Sequence, residues 1–475
     1  MTENTAPSKR SFALDALRGF AILTMLLSGQ IPFGVLPSWM YHAQVPPPQH
    51  IFNPNLPGIT WVDLVFPFFL FSMGAAIPLA NSKKIEKGIP AYKIIFSMVL
   101  RGFILVGFAI FIAHVRPGVI KSTPDTRAYI LALLGFLLLF PVLGRFPFNI
   151  KPVLNYAIKA AGLAGMVVLC ASITYADGSG FNINKNDIII LVLANVAITS
   201  AIIWYYTRSN LLLRLGILAF LFAARLVYPE VSWGKWLWKS SPVPWFGMLY
   251  FQQYLFIVLP GTIIGDLILK WTKNQKQDTN PVKNTWSNGL YILVACLLLL
   301  FIPALLVGLK TRLVFETLLF SSGLLIIVWA LIQKAKSNTE LFIKKAFQWG
   351  AYFLLLGLAF EPYEGGIKKD HPTMSYYFVT TGLAVFMLLA FTIIIDVLKK
   401  KKYLQLLIDN GQNPMIAYAG ITNLMPPLLA FTGLGPLFAK IFPTPWLGVL
   451  GAAIVVLTLA VIVSFFTRKK IFWRS

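Results

Sequence analysis

One stretch of the sequence gathers groups able to move a proton. From Gln30 to Val62 there is no Lys, Arg, Asp or Glu, yet two of the chain's four histidines, His42 and His50, fall inside it. Asp63 follows at once, in Ile59-Thr60-Trp61-Val62-Asp63. Imidazole is the side chain best suited to exchange a proton near neutral pH, and a carboxylate on its second nitrogen fixes the tautomer and raises its basicity. The pattern points to acid–base or nucleophilic chemistry on one of the two imidazoles, oriented by Asp63. A plainer reading stands beside it: loop histidines are often polar surface, and an Asp at the start of a span can simply cap a helix. The prolines Pro46, Pro47, Pro48, Pro54 and Pro57 exclude regular helix from this stretch and predict an extended, stiff cap.

The elements that must position these groups are membrane spans. The 475 residues are 57% hydrophobic and 12% charged, with a mean hydropathy of +0.73, whereas soluble domains carry about 25% charged residues. Net charge is +24, from 41 Lys and Arg against 17 Asp and Glu. The basic residues sit between apolar stretches of spanning length, so the charge reads as membrane topology and argues against a nucleic-acid partner. Cys170 and Cys296 lie in apolar runs with neither metal-ligand nor disulfide spacing, and no metal is expected. The apolar stretch from Phe20 to Leu27 follows Lys9 and Arg10 but is interrupted at its start by Asp15 and Arg18. It lacks a small-x-small cleavage pattern, so it reads as a retained first helix.

A crossing needs about 20 mostly apolar residues. On that basis spans are expected near 12–29, 60–80, 92–113, 128–144, 153–174, 187–206, 211–228, 245–269, 289–308, 313–332, 347–361, 375–397, 412–432 and 444–466. The predicted fold is an all-α polytopic transmembrane helix bundle of about 12–14 spans. With the N-terminus inside, the larger share of Lys and Arg falls on the cytoplasmic side at every step, which places both termini there. The whole chain, 1–475, then forms a single integral membrane unit. It comprises a cytoplasmic segment at 1–11, an outward-facing His/Pro loop at 30–59 and a cytoplasmic linker at 270–288. The expected setting is a bacterial inner (cytoplasmic) membrane.

Several motifs resemble those of the heparan-alpha-glucosaminide N-acetyltransferase-like transmembrane acyltransferases, which include bacterial NagX and DUF5009-type members. Arg18-Gly19-Phe20-Ala21, His42-Ala43, Gly58-x-Thr60-x-x-Asp63-Leu64-Val65-Phe66-Pro67 and Phe71-x-Met73-Gly74 look like the opening of that family. Lys368-Lys369 through Ser375-Tyr376 to Thr381-Gly382, and Asn413-Pro414-Met415 with Ala417-Tyr418, are similar to two later regions. The resemblance departs at Ser28-Gly29, where the family commonly has Asn, and at Arg127-Ala128-Tyr129, where Gln-Arg is expected.

The resemblance implies transfer of an acetyl group from cytoplasmic acetyl-CoA to a sugar or glycan acceptor on the far side, with a loop histidine as the catalytic residue. His42 matches through the adjoining Ala43; His50 stays open because the family's histidine lies nearer the Gly-x-Thr motif. Arg18 and Arg101, near the inner ends of the first and third spans, are the cations expected on the donor's phosphates, or else snorkelling residues. Asn413 is a third cavity candidate, able to bond sugar or thioester. Arg225, Glu361 and Glu364 could touch acceptor or serve only their loops. Expected partners are the acceptor and the lipid bilayer, and a homodimer is allowed. A transporter of amino sugars or related solutes, with helices broken at Pro414 and at Pro426-Pro427, is the competing class.

Overall fold

A chain that buries its backbone polar groups in lipid must satisfy them within helices, and the computed structural model has that architecture. It describes residues 11–148, 150–241, 243–277 and 284–474. Most of the segment expected at 1–11, with Lys9 and Arg10, and the middle of the 270–288 linker lie outside them.

Helices account for nearly all regular structure, beginning with α1 (Phe12–Ser28), α2 (Trp61–Glu86) and α3 (Ala91–His114). Later long helices cover Thr126–Leu143, Pro152–Ser172, Ile188–Thr207, Leu211–Val227, Leu255–Gln277, Asn288–Lys310, Val314–Leu331, Asn338–Tyr363, Met374–Thr392 and Pro445–Arg468. Every span expected from the sequence falls on a helix. Among the described residues, ten helices are long and apolar enough to cross a membrane, or up to eleven if the bent pair Pro414–Asn423 and Met425–Phe431 is one span. The expectation of about 12–14 exceeds this because Phe12–Ser28 and Leu211–Val227 are only 17 residues long. Another helix outside the ten, Asn338–Tyr363, carries Glu340, Lys344, Lys345 and Glu361.

The helix Met374–Thr392 is buried along its whole length and forms the central post, against which α1, α2, Leu255–Gln277 and Asn338–Tyr363 pack. Around it, α1 crosses the short helix Gln405–Gln412 at very small separation. A Cβ on Gly19 would overlap the Leu407 carbonyl oxygen, and one on Gly411 would overlap that of Asp15, so only glycine lets the two backbones meet. The same crossing brings Arg18 to the Gly411 carbonyl at 3.4 Å.

Two short strands, β1 (Gly144–Arg145) and β2 (Phe472–Trp473), pair antiparallel and fold the segment after the last helix back onto the bundle. Asn413 holds it there. Its Nδ2 donates to the Ile471 carbonyl at 2.8 Å, and its Oδ1 accepts from the Trp473 N–H at 3.0 Å.

Candidate functional site

The 30–60 connection, expected to be extended, is instead a folded loop pinned by its own polar side chains. The Tyr41 hydroxyl accepts from Val35 N at 3.0 Å and Leu36 N at 2.8 Å and donates to the Pro32 carbonyl at 2.8 Å. The Thr60 hydroxyl donates to the Tyr41 carbonyl at 2.6 Å. Proline forbids helix, but nothing forbids turns between prolines. These contacts fix the backbone on either side of His42.

Asp63, fully buried at the third position of α2, plays both parts foreseen for it. Oδ2 accepts from Thr60 N at 2.9 Å and Ala43 N at 3.2 Å, so it caps the helix and ties the histidine loop to it. Oδ1 lies 2.6 Å from His42 Nδ1. That approach is a charge contact more than an aligned hydrogen bond, since neither atom makes a well-aligned hydrogen bond in the protein. The Tyr376 hydroxyl donates to the Asp63 carbonyl at 2.8 Å, fixing the start of α2 to the central post.

The second histidine nitrogen has a partner that sequence reasoning missed. His42 Nε2 lies 3.1 Å from Asp370 Oδ2, in a loop 328 residues downstream. Gln44 sets this carboxylate in place, donating to the Asp370 carbonyl at 2.6 Å and accepting from its N–H at 3.0 Å. Lys369 Nζ stands 3.7 Å from Asp63 Oδ1, and Phe52 stacks on the His42 ring with centroids 6.1 Å apart.

The side chain of Asp63 is 0% exposed and that of His42 15%, whereas that of Asp370 is 48% exposed. The row thus runs from a buried, fixed carboxylate through the imidazole to a carboxylate that meets solvent. Burial works against charge on His42, but its contacts with Asp370 and Asp63 outweigh that and hold its pKa above the ordinary value. Burial would raise Asp370, yet His42 and the Lys369 charge hold its carboxyl below the usual carboxylate range. The resting imidazole is therefore biased toward its doubly protonated form, a donor to both sides.

His50 is not part of this row. Its ring stands edge-on to Tyr41 and Phe33, with centroids 5.2 and 6.1 Å away, and it packs the loop. The other outward candidates are also structural. Arg312 pairs with the buried Glu361. Glu364 caps Met374–Thr392 by accepting from Met374 N at 2.7 Å and Ser375 N at 2.9 Å. Arg225 donates to Gln253 Oε1 at 3.0 Å and to the Pro372 carbonyl, bracing the loop that carries Asp370.

At the opposite end of α2 lies a cavity of about 260 Å³, lined by Arg18, Asn81, Arg101, Trp473 and Arg474 among apolar neighbours. Arg18 reaches it from α1 while donating to the Ser72 carbonyl at 3.2 Å and pairing with Asp15 at 3.9 Å. Its side chain is 16% exposed, which is not the open exposure of a snorkelling residue. Asn413 does not line the cavity: its amide is spent on β2, while its neighbours Pro414 and Met415 form the wall. An Asn at a helix break is well placed to bond a returning strand.

A narrow continuation of about 30 Å³, lined by Ile22, Met25, Phe66, Ile190 and Tyr418, leads on along α2. It shares Phe69, Leu105, Leu193, Pro414 and Met415 with the larger cavity. Phe66 lies three residues from Asp63, about 4.5 Å along the axis, while His42, Asp63 and Asp370 are not among the residues that line either cavity. Asp370, Gln44 and Lys369 at one end, and Asn81, Trp473 and Arg474 at the other, are the residues that sequence reasoning missed. The one signal for the first group was an Asp beside a histidine, Asp370-His371, inside a motif region already singled out. In comparison with known proteins, residues 10–268 match the family described as Domain of unknown function (DUF5009). No curated protein matches the chain.

Proposed function

We propose that this chain, which belongs to the DUF5009 family of unknown function, is an integral membrane acetyltransferase. It moves an acetyl group from cytoplasmic acetyl-CoA to an amino sugar or other glycan acceptor on the far side, as its motif resemblance to the heparan-alpha-glucosaminide N-acetyltransferase-like enzymes implies. The observation that carries the reading is His42 held between Asp63 and Asp370 at 2.6 and 3.1 Å. Towards the other end of α2 a separate cavity is lined by Arg18, Arg101 and Arg474.

In this reading the donor's phosphates meet the arginines and the thioester reaches through the narrow waist. The acceptor displaces the half-exposed Asp370 from His42 Nε2. The freed imidazole nitrogen, once deprotonated, takes the proton of the acceptor amine or hydroxyl as that atom bonds to the thioester carbonyl carbon. The carbon–sulfur bond then breaks and the thiolate leaves with the electron pair, to be protonated as free coenzyme A. Asp63 holds the other nitrogen throughout. If His42 instead carries the acetyl group, the neutral Nε2 bonds to the carbonyl carbon as the carbon–sulfur bond breaks and the thiolate leaves; the acceptor then bonds to the same carbon as the carbon–Nε2 bond breaks, and its proton returns to the ring. A bacterial inner membrane with both chain ends cytoplasmic completes the proposal.

The test is transfer from labelled acetyl-CoA to a sugar panel by purified protein, repeated with His42→Ala and His50→Ala. Loss in the first and retention in the second is expected; transfer by both variants at the wild-type rate refutes the assignment. The transporter reading draws on the 41° bend between Pro414–Asn423 and Met425–Phe431. It requires uptake of unmodified solute by proteoliposomes without acetyl-CoA, which an acetyltransferase does not perform.

A further inference from the structure

The loop that carries His42 lies alongside a membrane span rather than beyond its end. Pro32 packs so closely on the last long helix, Pro445–Arg468, that a Cβ on Gly448 would overlap the proline ring. Trp39 meets Trp446 of that helix with ring centroids 6.1 Å apart, and Ile31, Leu36, Met40 and Tyr41 form a small apolar core with Ala452. Ala452 is seven residues into the helix, about 10 Å along its axis. The helix is long and apolar enough to cross a bilayer, and its Leu447, Leu450 and Leu457 side chains are exposed, as lipid-facing residues are. The length of α1 gives the same depth. It starts where Lys401 sits over the Phe12 ring, and its 17 residues rise about 25 Å, short of the roughly 30 Å hydrocarbon layer. The chain that follows Ser28 is therefore still at the membrane boundary.

What this loop turns outward is apolar. Phe33 is 67% exposed, Trp39 51% and Ile51 68%, and Val35 and Phe52 are exposed with them. Not one Lys, Arg, Asp or Glu accompanies them between Gln30 and Val62. Apolar surface gathered this way marks an interaction face. A loop among lipid headgroups favours aromatic and aliphatic side chains and disfavours charge. Through Trp39 and Trp446 the apolar face is continuous with the exposed flank of the last span, so the surface that covers one covers the other. Phe52 stacks on the His42 ring and carries the face to the imidazole edge. There charge returns, as the Asp370 carboxylate on His42 and the Lys369 ammonium near Asp63. His42 thus stands where an apolar face meets charged groups, which is the level of a headgroup.

We infer that the His42 loop is seated in the headgroup layer of the outer leaflet, and that the acceptor is a glycan carried on a lipid, whose sugar meets His42 from within that layer. A lipid tail holds such an acceptor in the plane of Ile51 and Phe52, so that diffusion along the membrane delivers its sugar to the imidazole. The seating rests on the fold; the acceptor class rests on the transfer reading above and narrows it.

Two measurements on full-length protein in nanodiscs test it. In a Cys296→Ala background, with Cys170 buried, nitroxides at Val35→Cys and Ile51→Cys report depth through collision with oxygen, which enters lipid, and with a nickel chelate, which stays in water. Both labels are expected to favour oxygen, while a label at Ala176→Cys, in the loop that carries Asp177 and Lys185, favours the chelate. The second measurement is transfer from labelled acetyl-CoA to glucosamine on a dialkylglycerol and to methyl glucosaminide. The lipid-carried sugar is expected to have a kcat/KM about a hundredfold higher, through its confinement beside the site. The double variant Val35→Ser with Ile51→Ser is expected to lower that value about tenfold and leave methyl glucosaminide unchanged, with an unshifted unfolding temperature. Chelate access at Val35 and Ile51 equal to that at Ala176 overturns the seating. Protection from both reagents marks a face covered by protein and overturns it too. Labels in lipid with no preference for the lipid-carried sugar overturn the acceptor class. Labels in lipid with no transfer to any sugar, lipid-carried or free, sink the transfer reading and leave the seating standing.

Discussion

Replacing Asp63 by Asn removes one charge and exchanges one acceptor atom for a donor, at a position where each atom has an identified task. Oδ2 accepts from Thr60 N and Ala43 N at 2.9 and 3.2 Å, so the Asn carbonyl oxygen will settle there and keep the cap. Its NH2 must then face His42 Nδ1, 2.6 Å from the lost oxygen. A donor at Nδ1 forces the ring proton onto Nε2, the nitrogen that must accept from the acceptor, and the base is disabled. An Asp-to-Asn change of this kind in a serine-protease triad costs about 10⁴ in rate. General acid–base catalysis as a whole accounts for about 10²–10⁴. A loss of about 10³–10⁴ in transfer rate, or about 4–5.5 kcal/mol of barrier, is therefore expected.

The charge acts separately. The His42 pKa stands above its ordinary value in part because of Asp63, and the active base is the neutral ring. Wild-type transfer should therefore rise with pH through a midpoint above about 6.5. In Asp63→Asn that midpoint should fall towards the ordinary imidazole value. The assay is transfer from labelled acetyl-CoA between about pH 5 and about pH 9, with unfolding temperature followed in parallel. Wild-type rate and midpoint in a folded Asp63→Asn protein would refute the reasoning and leave Asp63 as a helix cap alone.

Asp370→Asn should lower the same midpoint by less than Asp63→Asn does, because this partner is half exposed and solvent screens it; a shift as large as that of Asp63→Asn would contradict the division of roles. Arg18→Gln and Arg101→Gln should each raise the acetyl-CoA KM about ten- to hundredfold with kcat little changed, since a charge-assisted hydrogen bond contributes about 1.5–3 kcal/mol; steady-state kinetics on folded variants decides it. Met415→Ala removes side-chain bulk from a waist of about 30 Å³, comparable with the roughly 30 Å³ share of one water molecule. The ratio of kcat/KM for butyryl-CoA over acetyl-CoA should rise about tenfold, and an unchanged ratio would show that the waist does not select the acyl group.

The sequence made the helices legible because lipid leaves a spanning backbone little alternative, and hydropathy alone finds apolar runs. It overcounted confident crossings where a run was short, as at Phe12–Ser28, or interrupted by charge, as at Asn338–Tyr363. His42 and Asp63 could be paired because only the intervening loop separates them and Asp63 starts the helix that follows. Asp370 could not, since its approach depends on Met374–Thr392 occupying the centre of the bundle and on Gln44 bridging two loops. His50 and Asn413 have suitable functional groups, but packing decided their use. One ring fills a gap beside Tyr41 and Phe33, and one amide holds a returning strand. Nothing local to Trp473-Arg474 signalled that these residues line a cavity.

One helix supplies a wall to the entire path. Phe66, Phe69, Met73, Ala76, Ala80 and Asn81 of α2 all line one cavity or the other, a run whose spacing of mostly three or four keeps to one helical face. Asp63 and Asn81 are 18 positions apart, which at 3.6 residues per turn is about five turns, or about 27 Å of rise. That separation is close to the roughly 30 Å hydrocarbon thickness. On the proposed reading, a donor bound near the Asn81 end and a group activated beside Asp63 would be held about 27 Å apart along this one helix. Pro67 and Pro78 lie inside that helix, where each removes one backbone donor and loosens the ladder. The close approach of Gly74 to the Val258 carbonyl braces α2 between them against Leu255–Gln277. The charge-free composition of residues 30–62 then has a physical reason. An added carboxylate there would compete with Asp63 and Asp370 for the imidazole, and an added Lys or Arg would compete with the imidazole for those carboxylates.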